Sequence, residues 1–254
     1  MSKPVVALQL YTVRDFATKD VPGTLSQVKA MGYDAVELAG TYGLSTAEFK
    51  KYLDDAGLEA VSAHVPIKAF EEDAAGTVAQ YKALGCKLVS VPSLSMEELP
   101  GGEGFDKTKA TMTKAAALCK EQGMMLGYHN HDYEFKTLPC GSFILDAFFE
   151  ALPPDVLQAQ IDTGWVMAAG QCPPSYVKKY TGRCPSVHLK DIVKVGDKFE
   201  DRPVGKGSQD IPAVTKAAID AGAHIIVVEL DEAVGMTSLE AAKQSREYMK
   251  TLGY

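Results

Sequence analysis

The chain has 254 residues, 46% hydrophobic and 23% charged, with a formal net charge of -7 and a sequence pI near 5.3. It carries no dense Lys/Arg run, which argues against a nucleic-acid partner, and no apolar stretch approaches the roughly 18 residues of a membrane span. The five cysteines, at 86, 119, 140, 172 and 184, include no CxxC pair, and MSKPVVALQLYTVRD is too briefly apolar for a signal peptide, so a reduced, cytoplasmic protein is expected.

In chain order, short apolar runs predict strands at 5–11 (VVALQLY), 35–39 (AVELA), 58–65 (LEAVSAHV), 87–91 (KLVSV), 124–128 (MMLGY), 157–161 (LQAQI), 186–189 (SVHL) and 225–230 (IIVVEL). Helical spacing fills the gaps, at about 21–31, 45–56, 70–84, 106–122, 141–151, 174–181, 209–221 and 237–251. Gly57, Gly85, Gly123 and Gly222 follow helices and precede strands, the place for a left-handed helix stop. Eight strand–helix units without a linker or composition break predict one α/β domain over 1–254, a (β/α)₈ TIM barrel. An open doubly wound sheet would carry a glycine-rich phosphate loop after its first strand. That loop reads TVRDFATKDVPG here, with no GxGxxG or GxxxxGK[ST]. Within 193–201, around Gly196-Asp197, a small hairpin is expected, placed to cover the site or to meet a neighbouring subunit.

In such a barrel the site forms at the carboxyl ends of the strands. Those ends carry Gln9 and Tyr11, Glu37, His64, the run from His129 to Glu134, Asp162, His188 with Lys190 and Asp191, and Glu229 with Asp231. A buried carboxylate is costly unless it is paired, hydrogen-bonded or metal-bound. Asp162, His188 and Glu229 come from successive strand ends and would converge, and a divalent cation relieves their repulsion. The fourth ligand is expected from LGYHNHDYEF, with Glu134 preferred and His129 or His131 as alternatives. The shell is then one nitrogen and three carboxylates, suited to one divalent ion: Mn²⁺, Mg²⁺, Co²⁺ or Zn²⁺. Each residue alone also has a bland reading, as a hydrogen-bonded loop histidine or a helix cap.

The combination GYHNHDYEF, QIDTGW, VHLKD and VVEL, with ALQLYTVRD and AVELAG near the start, resembles the xylose-isomerase-like TIM-barrel superfamily over essentially the whole chain. That superfamily includes sugar phosphate isomerases/epimerases and inosose dehydratases. The resemblance implies one divalent metal held by Glu, Asp, His and Glu from the last four strands, matching Asp162, His188 and Glu229 here. On the fifth strand the ketose epimerases carry their Glu within the strand, where this chain is apolar or aromatic around Tyr128. The dehydratase-like branch has a histidine-rich strand end and a later Glu, which is similar to YHNH followed by Glu134. A DNA-repair branch with three zinc ions needs a histidine three residues after the strand-six Asp, and that position is Trp165.

The implied activity is a metal-dependent sugar, sugar phosphate or cyclic-polyol isomerase or epimerase, with Mn²⁺ as the expected ion, working through an enediolate that the metal stabilises. A lyase removing a β-oxygen substituent from a keto-sugar, keto-inositol or 3-keto-glycoside shares that intermediate and is the alternative. A catalytically silent sugar-binding barrel is the reading from another class. Glu134, Glu229, His64, His131 and Lys190 are the candidate acid–base and catalytic groups. Glu37, His64, His129, Trp165, Lys190 and Arg202 are the candidate substrate-binding residues. The RPVGKGSQD loop (202–210) offers backbone N–H groups to a phosphate or hydroxyl, or simply starts a helix at Ser208 or Asp210. The expected partner is a small carbohydrate or cyclic polyol, and an outer helical ring suits a homo-oligomer.

Overall fold

The computed structural model describes residues 3–254. Eight parallel strands close into a barrel: β1 (Val5–Gln9), β2 (Ala35–Leu38), β3 (Glu59–His64), β4 (Leu88–Val91), β5 (Met125–His129), β6 (Gln158–Asp162), β7 (Ser186–Leu189) and β10 (Ile225–Val228). Strands β8 (Asp191–Val195) and β9 (Lys198–Arg202) form a separate antiparallel hairpin after β7. It turns at Gly196-Asp197, as expected, with Gly196 at φ 61°. The helices are α1 (Arg14–Ala17), α2 (Val21–Ala30), α3 (Thr46–Ala56), α4 (Ile67–Leu84), α5 (Phe105–Glu121), α6 (Ile144–Ala151), α7 (Thr163–Ala168), α8 (Pro173–Lys179), α9 (Ile211–Asp220) and α10 (Ser238–Thr251). The short α1 and α7 were not expected. Helix α7 starts directly off β6, its N-cap being Asp162.

Local chemistry sets these limits. Ser45 and Thr237 begin α3 and α10 with reciprocal capping boxes, Asp20 accepts from Gly23 N at the start of α2, and Gly57 and Gly85 end α3 and α4 in the left-handed region. Leucines, valines and phenylalanines on the outward faces of the strands pack against the helices in one continuous core. Each such side chain, fully buried, contributes roughly 1.5–3 kcal/mol.

The inside of the barrel is different. Its floor is small and apolar, with Ala7, Ala35, Ile225 and Val227. Above it lies a buried polar tier of Gln9, Glu37, Ser62, Gln160 and Ser186, knit together by side-chain hydrogen bonds. A side chain at Gly127 would meet Ser90 Oγ at 2.7 Å, so the fifth strand keeps this tier narrow with a glycine. Two residues along each strand, on the same face, come His64, His129, Asp162, His188 and, just beyond β10, Glu229. Among the described residues no helix is long and apolar enough to cross a membrane.

Candidate metal centre and active-site cavity

Glu37 is fully buried and organises the floor of the site. Its Oε1 accepts from Gln9 Nε2 and His188 Nε2, both at 2.7 Å, and lies 3.1 Å from His64 Nε2. Its Oε2 accepts from Ser62 Oγ at 2.6 Å and Gln160 Nε2 at 2.7 Å. Burial raises the pKa of this carboxyl, but the His188 and His64 imidazoles and the hydrogen bonds outweigh it and hold it at about 2. Glu37 therefore lies beneath the cavity rather than in its wall, and the substrate contact expected of it is replaced by a hold on two histidines.

His188 is clamped at both nitrogens, Nε2 by Glu37 and Nδ1 by Glu229 Oε2 at 2.8 Å. Burial works against its protonation, yet the two carboxylates push its pKa up to about 10. Its ring stacks on His64 at 5.1 Å and 4° and meets His129 edge-on at 4.5 Å. His129 is held neutral, far below the usual histidine range, first by burial and then by the neighbouring imidazoles. Asp162 Oδ1 accepts from Trp165 N at 2.9 Å, and burial pushes this carboxyl up to about 7 despite Lys190 nearby.

His129, Asp162, His188 and Glu229 present one donor atom each, all within 4.8 Å of one another. Two atoms of this group, His129 Nδ1 and Asp162 Oδ2, are buried with no hydrogen-bond partner. An unpaired buried polar atom costs about 1–3 kcal/mol, and a cation among these donors would relieve Asp162 Oδ2, toward which His129 turns its other nitrogen, Nε2, at 3.8 Å. Glu37 holds the Nε2 proton of His188, so Nδ1, which here meets Glu229 Oε2, is the nitrogen that would turn to a cation. The donor set fits a divalent ion. Its two nitrogens and two carboxylates differ from the expected one-plus-three, because His129 stands where Glu134 was expected.

Glu134 lies elsewhere. Its Oε1 accepts from Tyr128 Oη at 2.6 Å and its Oε2 from His131 N at 2.8 Å, so it braces the loop after β5 from behind. Burial raises its pKa to about 7, against the pull of those hydrogen bonds. The folded-state value is thus above the ordinary 4.5, and the stability it contributes is full below 4.5 and lost as pH rises through about 7. Glu134→Gln should remove this slope. The unfolding free energy of wild type relative to the variant, from urea denaturation, should be more favourable at pH 4.5 than at pH 8 by up to about 3 kcal/mol. A difference independent of pH would mean that Glu134 is ionised throughout.

The site opens into a cavity of about 440 Å³ lined by Tyr11, His64, His129, His131, Lys190, Glu229 and Asp231, among others. His64 Nε2 faces two acceptors, Gln160 Oε1 at 2.9 Å and Glu37 Oε1, which places its proton there and leaves Nδ1 as the basic nitrogen. His131 is pushed down to about 4 by burial and by Lys190. Tyr11 is 43% exposed at the rim, with the Arg14 guanidinium 3.8 Å from its ring centre. Trp165 sits below Lys190, its ring 4.8 Å from Nζ, and beside His131. Arg202 pairs with Glu200 on the hairpin and is not among the lining residues. The glycine-rich loop holds an anion, but it is the chain's own: Gly205 N, Gly207 N and Gln209 N all donate to the Asp191 carboxylate. Asp210 then caps α9 through Ala213 N.

Two residues of this network, Gln160 and Ser62, escaped the sequence reading; Asn130, named there only within the run from His129 to Glu134, accepts from Asp162 N through Oδ1 at 3.0 Å. Gln160 carried a signal, since it lies two residues before Asp162 on the same strand face.

The family model for the xylose isomerase-like TIM barrel matches residues 25–252. The chain belongs to that family. An inosose dehydratase from Clostridium perfringens is 24% identical over 266 residues, covering 89% of this chain and 88% of that protein. A crystal structure of a sugar phosphate isomerase/epimerase from Parabacteroides distasonis superposes with a TM-score of 0.82 at 24% identity, over 98% of this chain and 94% of the other. A xylose isomerase-like TIM barrel protein from Mycobacterium smegmatis, in complex with magnesium, superposes with a TM-score of 0.75 at 17% identity, over 99% and 98% of the two chains.

Proposed function

We propose that this xylose isomerase-like barrel is a divalent-metal-dependent lyase that removes a β-oxygen substituent from a cyclic keto-polyol or keto-sugar. The observation that carries the reading is the four-donor cluster of His129, Asp162, His188 and Glu229 at the floor of a cavity whose wall also bears a base and a cationic group. The likeness to inosose dehydratases over most of the chain supports the substrate class.

A bound ion would supply Lewis acidity toward a carbonyl and its neighbouring hydroxyl, and the two imidazoles favour Mn²⁺, Co²⁺ or Zn²⁺ over Mg²⁺. The chain's own residues do the rest. His64, held by Glu37 and Gln160, accepts the proton from the carbon next to the carbonyl at Nδ1. The electron pair left on that carbon forms the new double bond as the β-carbon–oxygen bond breaks. His64 returns that proton to the departing oxygen, so a hydroxyl leaves as water, and the Lys190 ammonium keeps its own proton and stabilises the charge that develops there. The exposed face of Tyr11 offers an apolar surface to the C–H side of the ring.

Isomerisation or epimerisation starts with the same proton abstraction and ends with reprotonation instead of loss. The test is to incubate the Mn²⁺-loaded protein with a keto-inositol and a 3-keto-glucoside in deuterated water. A product lighter by one water, or by the glycosidic alcohol, is the expected result. A product of unchanged formula carrying solvent deuterium would establish an isomerase or epimerase instead. Ligand binding without exchange or product would leave a sugar-binding barrel.

A further inference from the structure

Lys190 is almost fully buried, an unusual place for an ammonium group. Its Nζ donates to Asp231 Oδ2 and lies 3.5 Å from Glu229 Oε2 and 3.7 Å from Asp162 Oδ2. Glu229 and Asp162 are two of the four donors of the cluster, and Asp231 is not. One fixed positive charge is therefore shared between the carboxylates a metal would use and a third that it would not.

We infer that Lys190 sets the divalent-ion affinity of this centre by competing for Asp162 and Glu229, and that Asp231 is the anchor that draws the ammonium off them. The inference rests on the metal reading proposed above and adds to it a regulator within the cavity wall.

The surroundings are built to hold Lys190 in that position. Gly164 lies so close that a side chain there would meet Lys190 O at 2.6 Å and Lys190 Cβ at 2.8 Å. The Trp165 ring covers the ammonium from one side at 4.8 Å. Asp231 is fixed through its backbone: its N–H donates to Asp201 Oδ2 at 2.6 Å, and its carbonyl accepts from Arg14 Nη2 at 2.9 Å. Asp201 comes from β9, so the hairpin after β7 locates the anchor. Removing the ammonium raises the negative charge facing an incoming cation. Removing the Asp231 charge leaves the ammonium with only the two metal-binding carboxylates as partners. Like charges a few ångströms apart in a partly buried site repel strongly enough to change affinity by at least about tenfold.

The two substitutions therefore act in opposite directions. Calorimetric titration of the chelator-stripped full chain with MnCl₂ should show Lys190→Met binding at least about tenfold tighter than wild type. Asp231→Asn should bind several-fold weaker, and the double variant should match Lys190→Met, since the anchor has nothing left to hold. Lys190→Arg keeps the charge and should stay near wild type, which separates charge from packing if the methionine variant folds poorly. Wild type that binds Mn²⁺, with Lys190→Met unchanged or weaker, overturns the inference while leaving the metal centre intact. Asp231→Asn binding tighter than wild type overturns it as well. Mn²⁺ binding by neither wild type nor Lys190→Met overturns the metal reading itself, and this inference with it.

Discussion

His129→Ala and Asp162→Ala should each strip the bound metal and lower turnover by roughly a hundredfold or more, whereas Glu134→Gln should keep most of the metal. The first two remove donors from a group whose ligating atoms lie within 4.8 Å of one another. Asp162→Ala also removes Oδ2, a buried atom with no hydrogen-bond partner, which His129 Nε2 faces at 3.8 Å. Glu134 spends both oxygens on Tyr128 Oη and His131 N, so its loss loosens a loop and not a coordination shell. Metal content per chain after dialysis, measured by mass spectrometry, separates the two. Glu134→Gln emerging metal-free while His129→Ala retains its ion would reverse the assignment.

That contrast also marks where the sequence stopped being legible. Asp162, His188 and Glu229 could be named from the chain alone because each is an ionisable residue in or just after an apolar run, with no reason to be there in a plain core. The fifth strand misled by one residue. Ending it at Tyr128 puts His129 in a loop and sends the search for a ligand onward to Glu134. In the structure β5 includes His129, paired in register with Gln160 of β6. Side chains alternate across a strand, so one residue decides which of the two enters the barrel. Tyr128 faces the helices, its ring 4.7 Å from Phe148, and His129 turns inward. No local pattern in MMLGYHNH fixes that parity; it comes from packing against α6, a long-range contact.

The barrel itself was readable because its signal is repeated eight times, and small errors at strand ends do not change the count. The polar tier under the site was not. Gln9, Ser62 and Gln160 are ordinary residues in sequence, and their importance arises only when closure of the barrel brings them around one carboxylate. Fold is written in periodicity, which is local. A hydrogen-bond network is written in coincidences between strands far apart in the chain, such as the 123 residues separating Gln160 from Glu37.

The largest loss of stability is expected at the centre of that network, from Glu37→Gln. The native carboxylate accepts from Gln9, Ser62, Gln160 and His188. An amide replaces one acceptor oxygen by a donor and removes the charge opposite the His188 imidazole. Breaking one side of a buried ion pair costs about 3–5 kcal/mol, because the remaining charge stays buried without compensation. The pH dependence has a definite sign. The carboxyl is held at about 2 in the folded protein against an ordinary 4.5, so its contribution is present above 4.5 and lost as pH falls toward 2. Urea unfolding of the metal-stripped protein should therefore show a wide gap between wild type and Glu37→Gln at pH 7 and a narrower one at pH 3. Metal affinity should fall as well, by about 10–100-fold, since His188 loses the acceptor that fixes its proton on Nε2. Adding His188→Gln to Glu37→Gln should cost less than the two single losses combined, because the second substitution removes the very imidazole that the first left unpaired. Strict additivity of the two would mean that the carboxylate and the imidazole contribute separately, and Glu37 would then be a structural residue with no hold over the metal centre.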